Sequence, residues 1–400
     1  MIYRLQNPIQ PYAWGSRRFI AELCGKAAPT SEPEAELWMG AHPLAPSEAL
    51  GDNQRRSLLT LLSADPQAML GERVARRFGR LPFLLKVLAA EQPLSLQAHP
   101  SLAQAREGFA REERLSVPRA ATSRNYKDDN HKPELVVALT PFSALCGFRP
   151  LSSTQRLLAE LDLPALTEAL TPRANETSAQ TLQRAFTRWL SAPASENAPL
   201  VSAIAERASE LLHGRSAFAA ELGWLTRLAL LHPGDAGCVC ALLLNLVELS
   251  RGQALYLPAG NLHAYLEGAA IEIMANSDNV LRGGLTSKHV DVPELLRVLD
   301  FSEAAVRPLA PEARSQNQVY FATPAEEFEL SCFELGAALD VQSSRGPEIL
   351  LVTRGEVSLR AGERALTLTR GQSAFIPACV AAYSLHGDAT VFRASVPVRH

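Results

Sequence analysis

The chain has 400 residues, 47% hydrophobic and 20% charged, with a formal net charge of −3. That length exceeds one ordinary core and predicts about two or three domains. The slight acidity argues against a general nucleic-acid binder, and no apolar run approaches the roughly eighteen residues of a membrane span. Residues 1–8 lack a basic region, an apolar run and a small-residue cleavage site, so the cytoplasm is the expected location. The six cysteines include no C-x-x-C pair, which predicts buried reduced thiols rather than a zinc ribbon or redox motif.

From residue 1 to about 150, short β-like runs alternate with proline and glycine punctuation. Residues 81–90 predict a buried strand carrying one anomalous lysine, Lys86, and residues 94–99 a second strand ended by Pro100. Side chains two apart in a strand share a face, so Gln97 and His99 point the same way. The polar run 125–134 then enters the apolar Leu135, Val136, Val137 and Ala138 abruptly. Glu134 therefore sits at the mouth of a buried strand, where a carboxylate is costly unless paired or bound to a metal.

The character changes at residues 151–241. Leu182, Ala185, Phe186, Trp189 and Leu190 fall on one helical face. Similar spacing recurs over 204–212 and 222–231, with the polar stretch 191–197 as a separator. A helical insert between β elements is expected. Strand-like sequence resumes near Leu242, and a short helix follows over 292–299, with Asp291 as N-cap and Pro293 in its first turn. Residues 307–318 look like a linker. The remainder predicts short strands at 349–352, 357–359 and 374–376, forming one compact β-barrel or sandwich.

Two stretches of the β regions are near copies. Gly252, Pro258, Gly260 and His263 recur at the same spacing as Gly371, Pro377, Cys379 and Ala382. Alternating apolar residues running into a proline corner describe a strand entering a tight turn, and the repetition indicates a duplicated small β-barrel. The first copy keeps a potential ligand at His263. The second has a methyl group at Ala382 and is read as a relic without metal.

Gln97, His99, Glu134 and His263 would together offer two imidazoles, one carboxylate and one amide oxygen. That donor set suits zinc or a borderline metal, with positions left open for water or substrate. Taken singly, each histidine reads as an ordinary structural residue; only the combination argues for a site. His42, His213, His232, His289, His386 and His400 lack such company and are expected to be surface or packing residues. Glu272 interrupts Ile271 and Ile273 and is expected to point inward, where a nearby metal would favour its ionised, basic form. Residues 276–282 admit two readings: a turn that brings Arg282 onto a phosphate or oxyanion, or one satisfied by its own side-chain to backbone bonds.

The corner at 252–263 resembles the second conserved motif of the cupin superfamily. More specific are residues 94–100, 125–134 and 278–286, which with Pro11, Tyr12, Ala13, Trp14, Gly15 and Ser16 resemble the type I mannose-6-phosphate isomerases across nearly the whole chain. Ala98 and Gly283 depart from that pattern without touching a proposed ligand. The resemblance implies a mainly β fold with an α insert: two cupin-type β-barrels (jelly rolls) plus a helical domain. Residues 1–150 and 242–306 would form a discontinuous catalytic cupin domain. Residues 151–241 would be the helical insert, and 307–400 a metal-free cupin-like barrel.

The resemblance also implies one zinc ion per chain on Gln97, His99, Glu134 and His263, and a monomer acting on a sugar phosphate through a cis-enediol. It places Arg282, Glu272 and Lys132 in catalysis, with Glu272 or Lys132 as proton carrier and His131 a further candidate. Trp14, Ser95, Lys86, His131, Tyr265, Asp278 and Lys288 are expected to contact the substrate. Two rival classes are a non-enzymatic sugar-binding or regulatory cupin with a relic site, and an iron-dependent cupin enzyme. A relic would be expected to lose ligands, whereas all four remain. The iron enzymes typically use an H-x-H pair where this chain has Gln97, Ala98 and His99.

Overall fold

The computed structural model describes residues 1–51, 54–336, 338–343 and 345–397. His400 lies outside them. Two antiparallel sheets carry the molecule. The ten-stranded first sheet follows the path Leu244–Leu249, Phe142–Phe148, His263–Ala275, Phe83–Ala90, Glu36–Met39, Ile9–Gln10. The eleven-stranded second sheet runs from Glu312–Ser315 through Gln318–Phe321, Glu329–Leu335, Ala382–Ser395, Glu348–Ala361 and Ser373–Ile376. It continues into strands from the start of the chain: Tyr3 pairs with Phe375, and Arg4 with both Ala374 and Leu50.

Alternation along the strands decides what each face touches. Leu85, Val87, Leu135, Val137, Ile271 and Ile273 of the first sheet share a cluster with Ile349, Leu351, Phe375, Phe392 and Ala394 of the second. The sheets thus meet over one apolar layer, each fully buried aliphatic side chain contributing roughly 1.5–3 kcal/mol. The intervening residues Lys86, Glu134 and Glu272 turn to the other face, where a cleft opens.

Helices fill residues 151–240, from Leu151–Leu161 to Ala236–Cys240. Thr177 starts Ser178–Ser191 with a capping box shared with Gln180, and Leu182, Ala185, Phe186 and Trp189 are buried as the stripe predicted, with Leu190 half-buried. This helical core also takes in Leu96, Ala98, Leu262, Ala264 and Leu266 of the first sheet, so the insert backs the strands that carry the candidate ligands. Among the described residues no helix is long and apolar enough to cross a membrane.

Several expectations need correction. The strand expected over 94–99 shrinks to Gln97–Ala98, because Leu96 spends its backbone bonds on the loop at Gly283 and Gly284. The separator at 191–197 is mostly helix, since Ala194–Leu211 begins after Pro193. The supposed linker contains the edge strand Glu312–Ser315. The strands at 349–352 and 357–359 are one, Glu348–Ala361, irregular between Val352 and Arg354. The helix Val292–Val298 is capped as expected, the Asp291 carboxylate accepting from the Glu294 amide. Helices at Leu58–Ala64, Pro66–Leu70, Glu72–Phe78 and Leu102–Arg114 were not anticipated, although Ser101 and Gln104 spell a capping box for the last. Four cysteines are buried, but Cys24 is half-buried and Cys379 exposed, all six being free thiols.

Candidate metal centre and active-site cleft

The candidate ligands converge because of strand alternation. Leu262, Ala264 and Leu266 pack into the helical core, which turns His263 and Tyr265 the other way. His263 lies opposite Gln97, and Leu257 opposite Glu134. Gly260 makes the corner between them at φ +78°, where a Cβ would stand 3.0 Å from the Val298 carbonyl oxygen. One donor atom each from His99, Glu134 and His263 lies within 4.8 Å of the others. Each of the three residues is 1% exposed.

The imidazole geometry fits a metal. Nδ1 of His99 lies 2.7 Å from the Asn279 carbonyl, and Nδ1 of His263 lies 3.1 Å from that of Asn261. A carbonyl only accepts, so each Nδ1 bears the proton and each Nε2 presents a lone pair. Those lone pairs face the Glu134 carboxylate at 3.2 and 3.5 Å. Although close, neither Nε2 makes a hydrogen bond among the described residues. Three electron-rich donors converging away from water repel one another unless a cation lies between them. Burial, aided by Lys132 and opposed by Glu134, lowers the His99 pKa to about 4, so a proton is not that cation near neutrality. A zinc-type ion is, with the Nδ1 carbonyls fixing both rings.

Glu134 has further partners. The Tyr265 hydroxyl donates to one of its oxygens at 3.0 Å, and the Lys132 ammonium lies 2.9 Å from the other. Burial pushes this carboxyl up, but Lys132 and His99 outweigh it and hold Glu134 well below the usual carboxylate range. Gln97 lines the same cleft, which has a volume of about 490 Å³.

The cleft wall is a row across neighbouring strands: Trp38 opposite Lys86, and Lys86 opposite Glu272. The Lys86 ammonium lies 2.8 Å from Glu272 and 3.4 Å from Glu36, and the Trp38 indole donates to Glu36 at 2.6 Å. Burial alone would discharge Lys86, but Glu272 and then Glu36 reverse that and hold it cationic. One ammonium cannot neutralise two buried carboxylates. Burial therefore raises the Glu272 pKa against the pull of Lys86, with Glu134 and Glu36 adding to the rise. A carboxylate with increased proton affinity, held in a cleft, has the character of a general base.

Cations stand along the cleft. Arg282 and Lys288 line it and have no ion-pair partner among the described residues. Burial lowers the pKa of both, Arg282 adding to the effect on Lys288. The loop that carries Lys288 is fixed by Asp235 of the helical region, which accepts from the Leu285 and Thr286 amides. Gly284 permits the approach: at φ +114°, a Cβ there would lie 2.6 Å from the Gly237 Cα. The turn at 276–282 is held mainly from outside itself. Ser277 and Asn279 bond into the 128–130 segment, while Arg282 faces the cleft.

Trp14, Ser95, Lys86, Lys132, Tyr265, Glu272, Asp278, Arg282 and Lys288 all line this cleft. His131 does not: its Nε2 lies 2.7 Å from Glu327, in the loop between the second-sheet strands Gln318–Phe321 and Glu329–Leu335. His42 was expected to be ordinary, yet it lines the cleft and lies 3.2 Å from Asp278. Burial pushes the Asp278 carboxyl up, but His42, with Lys132 and Lys86 adding, outweighs it and lowers the pKa. His232 also reaches the cleft, whereas His213, His289 and His386 are exposed as expected. Glu36 and Trp38 were missed altogether. Their signal was Lys86, since an ammonium in an apolar strand demands a carboxylate on a neighbouring one.

Comparison with known proteins agrees with this geometry. A family model described as phosphomannose isomerase type I, catalytic domain, matches residues 2–151, and one described as mannose-6-phosphate isomerase, cupin domain, matches residues 317–396. The chain is 40% identical to the mannose-6-phosphate isomerase of Escherichia coli (strain K12), with 98% of each chain covered. It is 33% identical to the Homo sapiens mannose-6-phosphate isomerase, over 94% of this chain and 93% of the other. A solved structure described as mannose 6-phosphate isomerase (holo; zinc bound) matches with a TM-score of 0.91 at 37% identity, covering 99% of this chain and 100% of that one.

Proposed function

The chain belongs to the type I mannose-6-phosphate isomerases, zinc-dependent aldose–ketose isomerases, and from that premise we propose how its cleft carries the reaction. Mannose 6-phosphate and fructose 6-phosphate interconvert by moving one proton between C2 and C1 of the opened sugar and a second between O2 and O1, through a cis-enediol. Gln97, His99, Glu134 and His263 would hold one zinc ion, which when bound supplies positive charge beside the two sugar oxygens and lowers the cost of the enediolate.

The remaining work falls to the chain's own side chains. Glu272 takes the C2 proton and returns it to C1, with Lys132 as the alternative carrier. The Lys86 ammonium, 2.8 Å from Glu272, fixes the carboxylate and limits how far burial raises its proton affinity. Arg282 opposes charge developing on the sugar oxygens. Lys288, without a carboxylate of its own among the described residues, meets the phosphate. Trp14, Ser95, Tyr265 and Asp278 shape the cavity around the sugar. His131, turned toward Glu327, takes no direct part.

In this reading each sheet is a cupin-type jelly roll. The catalytic domain comprises residues 1–150 and 242–306, the helical insert residues 151–241, and the metal-free barrel residues 307–400. The first strand is lent to the second sheet. In this reading the enzyme works as a monomer in the cytoplasm.

The observation that carries the proposal is the pair of buried imidazole nitrogens aimed at Glu134 without hydrogen bonds, beside the Lys86–Glu272 pair. Exchange of the substrate's C2 proton with solvent tests the assignment in Glu272→Gln and Lys132→Ala, both zinc-loaded. Loss of exchange in the first variant alone is the expected result. Loss in the second alone transfers the role to Lys132, and full exchange in both removes both residues from it.

A further inference from the structure

The second sheet repeats the first, strand for strand. Glu134 pairs with Leu257, the residue before the Pro258 corner, and Glu348 pairs with Ile376, the residue before the Pro377 corner. Two residues on, Val136 faces Glu272 and Leu350 faces Arg393. Glu272 next faces Lys86, and Arg393 faces Ser331; beyond these stand Trp38 and Tyr320. His263 lies opposite Gln97, just as Ala382 lies opposite Gln342. The catalytic row Trp38, Lys86, Glu272 thus has a positional counterpart in Tyr320, Ser331, Arg393. Beside that counterpart row lies a cleft of about 520 Å³, as roomy as the catalytic one.

We propose that this second cleft is a binding site for a small neutral polyhydroxylated ligand, a monosaccharide or sugar alcohol. Arg393 is 5% exposed; its Nε donates to the Ser331 hydroxyl at 3.2 Å, and its guanidinium lies 5.2 Å from the Phe333 ring centroid. Arg314 forks onto Glu329 at 2.6 and 3.0 Å. Fixed guanidinium–carboxylate pairs place donors and acceptors side by side, which is what vicinal hydroxyls require, and the half-buried Leu339 on the same wall gives an apolar surface for ring carbons. The Gln318 amide nitrogen, on a residue lining the same cleft, is shielded from water and has no hydrogen-bond partner among the described residues.

Charge selects neutral over phosphorylated ligands. The positive charges of Arg314 and Arg393 are matched by Glu329 and Asp340 on the wall and by Glu348 behind it. Among the described residues no surplus cation remains there for a phosphate, unlike Arg282 and Lys288 in the first cleft. Nor does the site have the first cleft's metal chemistry, because Ala382 stands where His263 does. Binding would rest on hydrogen bonds and apolar contact alone, so a millimolar affinity is expected.

Saturation-transfer NMR on the zinc-loaded enzyme tests this, using D-mannose, D-fructose and mannitol as probes with saturating fructose 6-phosphate in the catalytic cleft. At least one probe should bind saturably and resist competition by inorganic phosphate. Ser315→Trp, on the exposed rim of the second cleft, should weaken that binding at least tenfold while kcat/KM for mannose 6-phosphate is unchanged. Arg314→Ala, a milder change, should also weaken it. Absence of saturable binding by every probe, its loss when fructose 6-phosphate or inorganic phosphate is added, or its persistence in both variants overturns the proposal.

Discussion

Glu134 and Glu348 occupy the same register position in two sheets of one chain, and each accepts a tyrosine hydroxyl, from Tyr265 at 3.0 Å and Tyr383 at 2.8 Å. Their counter-charges differ. Around Glu134 two imidazole nitrogens converge, a donor set that suits a divalent ion. Near Glu348 lies the Arg393 guanidinium, at 3.9 Å. Burial opposes its charge, but Glu348 and then Tyr383 hold its pKa above the ordinary arginine value. One strand mouth can therefore keep a buried carboxylate in two ways. Only the metal solution would supply Lewis-acid chemistry, and only the first half has the donor set to hold the ion.

Making the first half resemble the second should have the largest effect. His263→Ala copies the residue found at Ala382 and leaves Glu134 facing one imidazole. Zinc content should fall to background, and kcat/KM by about a thousandfold or more, since the ion is worth several kcal/mol in the transition state. Chelation of the unaltered enzyme should reproduce that loss and zinc should reverse it. A variant that keeps both metal and activity would mean that the ligand set is drawn wrongly.

Next in size is the wall residue whose counterpart is Arg393. Glu272→Gln keeps the shape but removes the base, and kcat should fall by about 10²–10⁴-fold with little change in KM. The sign of the pH dependence follows from burial, which raises the Glu272 pKa above the ordinary carboxylate value of 4.5. A base must be ionised, so activity should fall as pH drops through that raised value, on a limb lying above 4.5. The Gln variant should lose the limb. If it persists, the titrating group lies elsewhere.

In the second half the same logic bears on stability. Arg393→Met strips Glu348 of its guanidinium, and a buried charge left without its partner costs about 3–5 kcal/mol. Denaturant unfolding should register that loss, and adding Glu348→Gln should recover part of it. The folded fraction should isomerise mannose 6-phosphate as before. An unchanged midpoint would show that Tyr383 and its surroundings suffice for Glu348 without the arginine.

The contrast also explains what could be foreseen. His99, Glu134 and His263, which converge, and Gln97, which lines the same cleft, were legible because each sits where a period-two pattern meets a proline or a polar run, so local spacing fixes its face. Glu36 and Trp38 were not, because their role arises from pairing with Lys86, a register formed across a long loop. The transfer of Tyr3–Gln6 to the second sheet has no local signature for the same reason. Likewise the linker expected at 307–318 becomes strand because its exposed residues complete an edge, a tertiary override of polar composition. The duplication itself was visible in the two corners, but the loss of His at Ala382 did not announce the arginine that took over the charge.

The smallest effect should come from the cation that most plainly separates the two clefts. Lys288 is exposed and only partly withdrawn from solvent, so its attraction for a phosphate is screened. Lys288→Ala should raise KM for mannose 6-phosphate about tenfold, or about 1.4 kcal/mol, with kcat nearly unchanged, as expected of binding felt equally in ground and transition states. Added salt should raise KM of the parent enzyme and leave that of the variant nearly flat. Arg282, more deeply set, should affect kcat as well if its guanidinium opposes charge on the reacting oxygens as proposed. A fall in kcat with KM constant in Lys288→Ala would place that lysine at the reacting carbons, and the phosphate would then have to lie along Arg282.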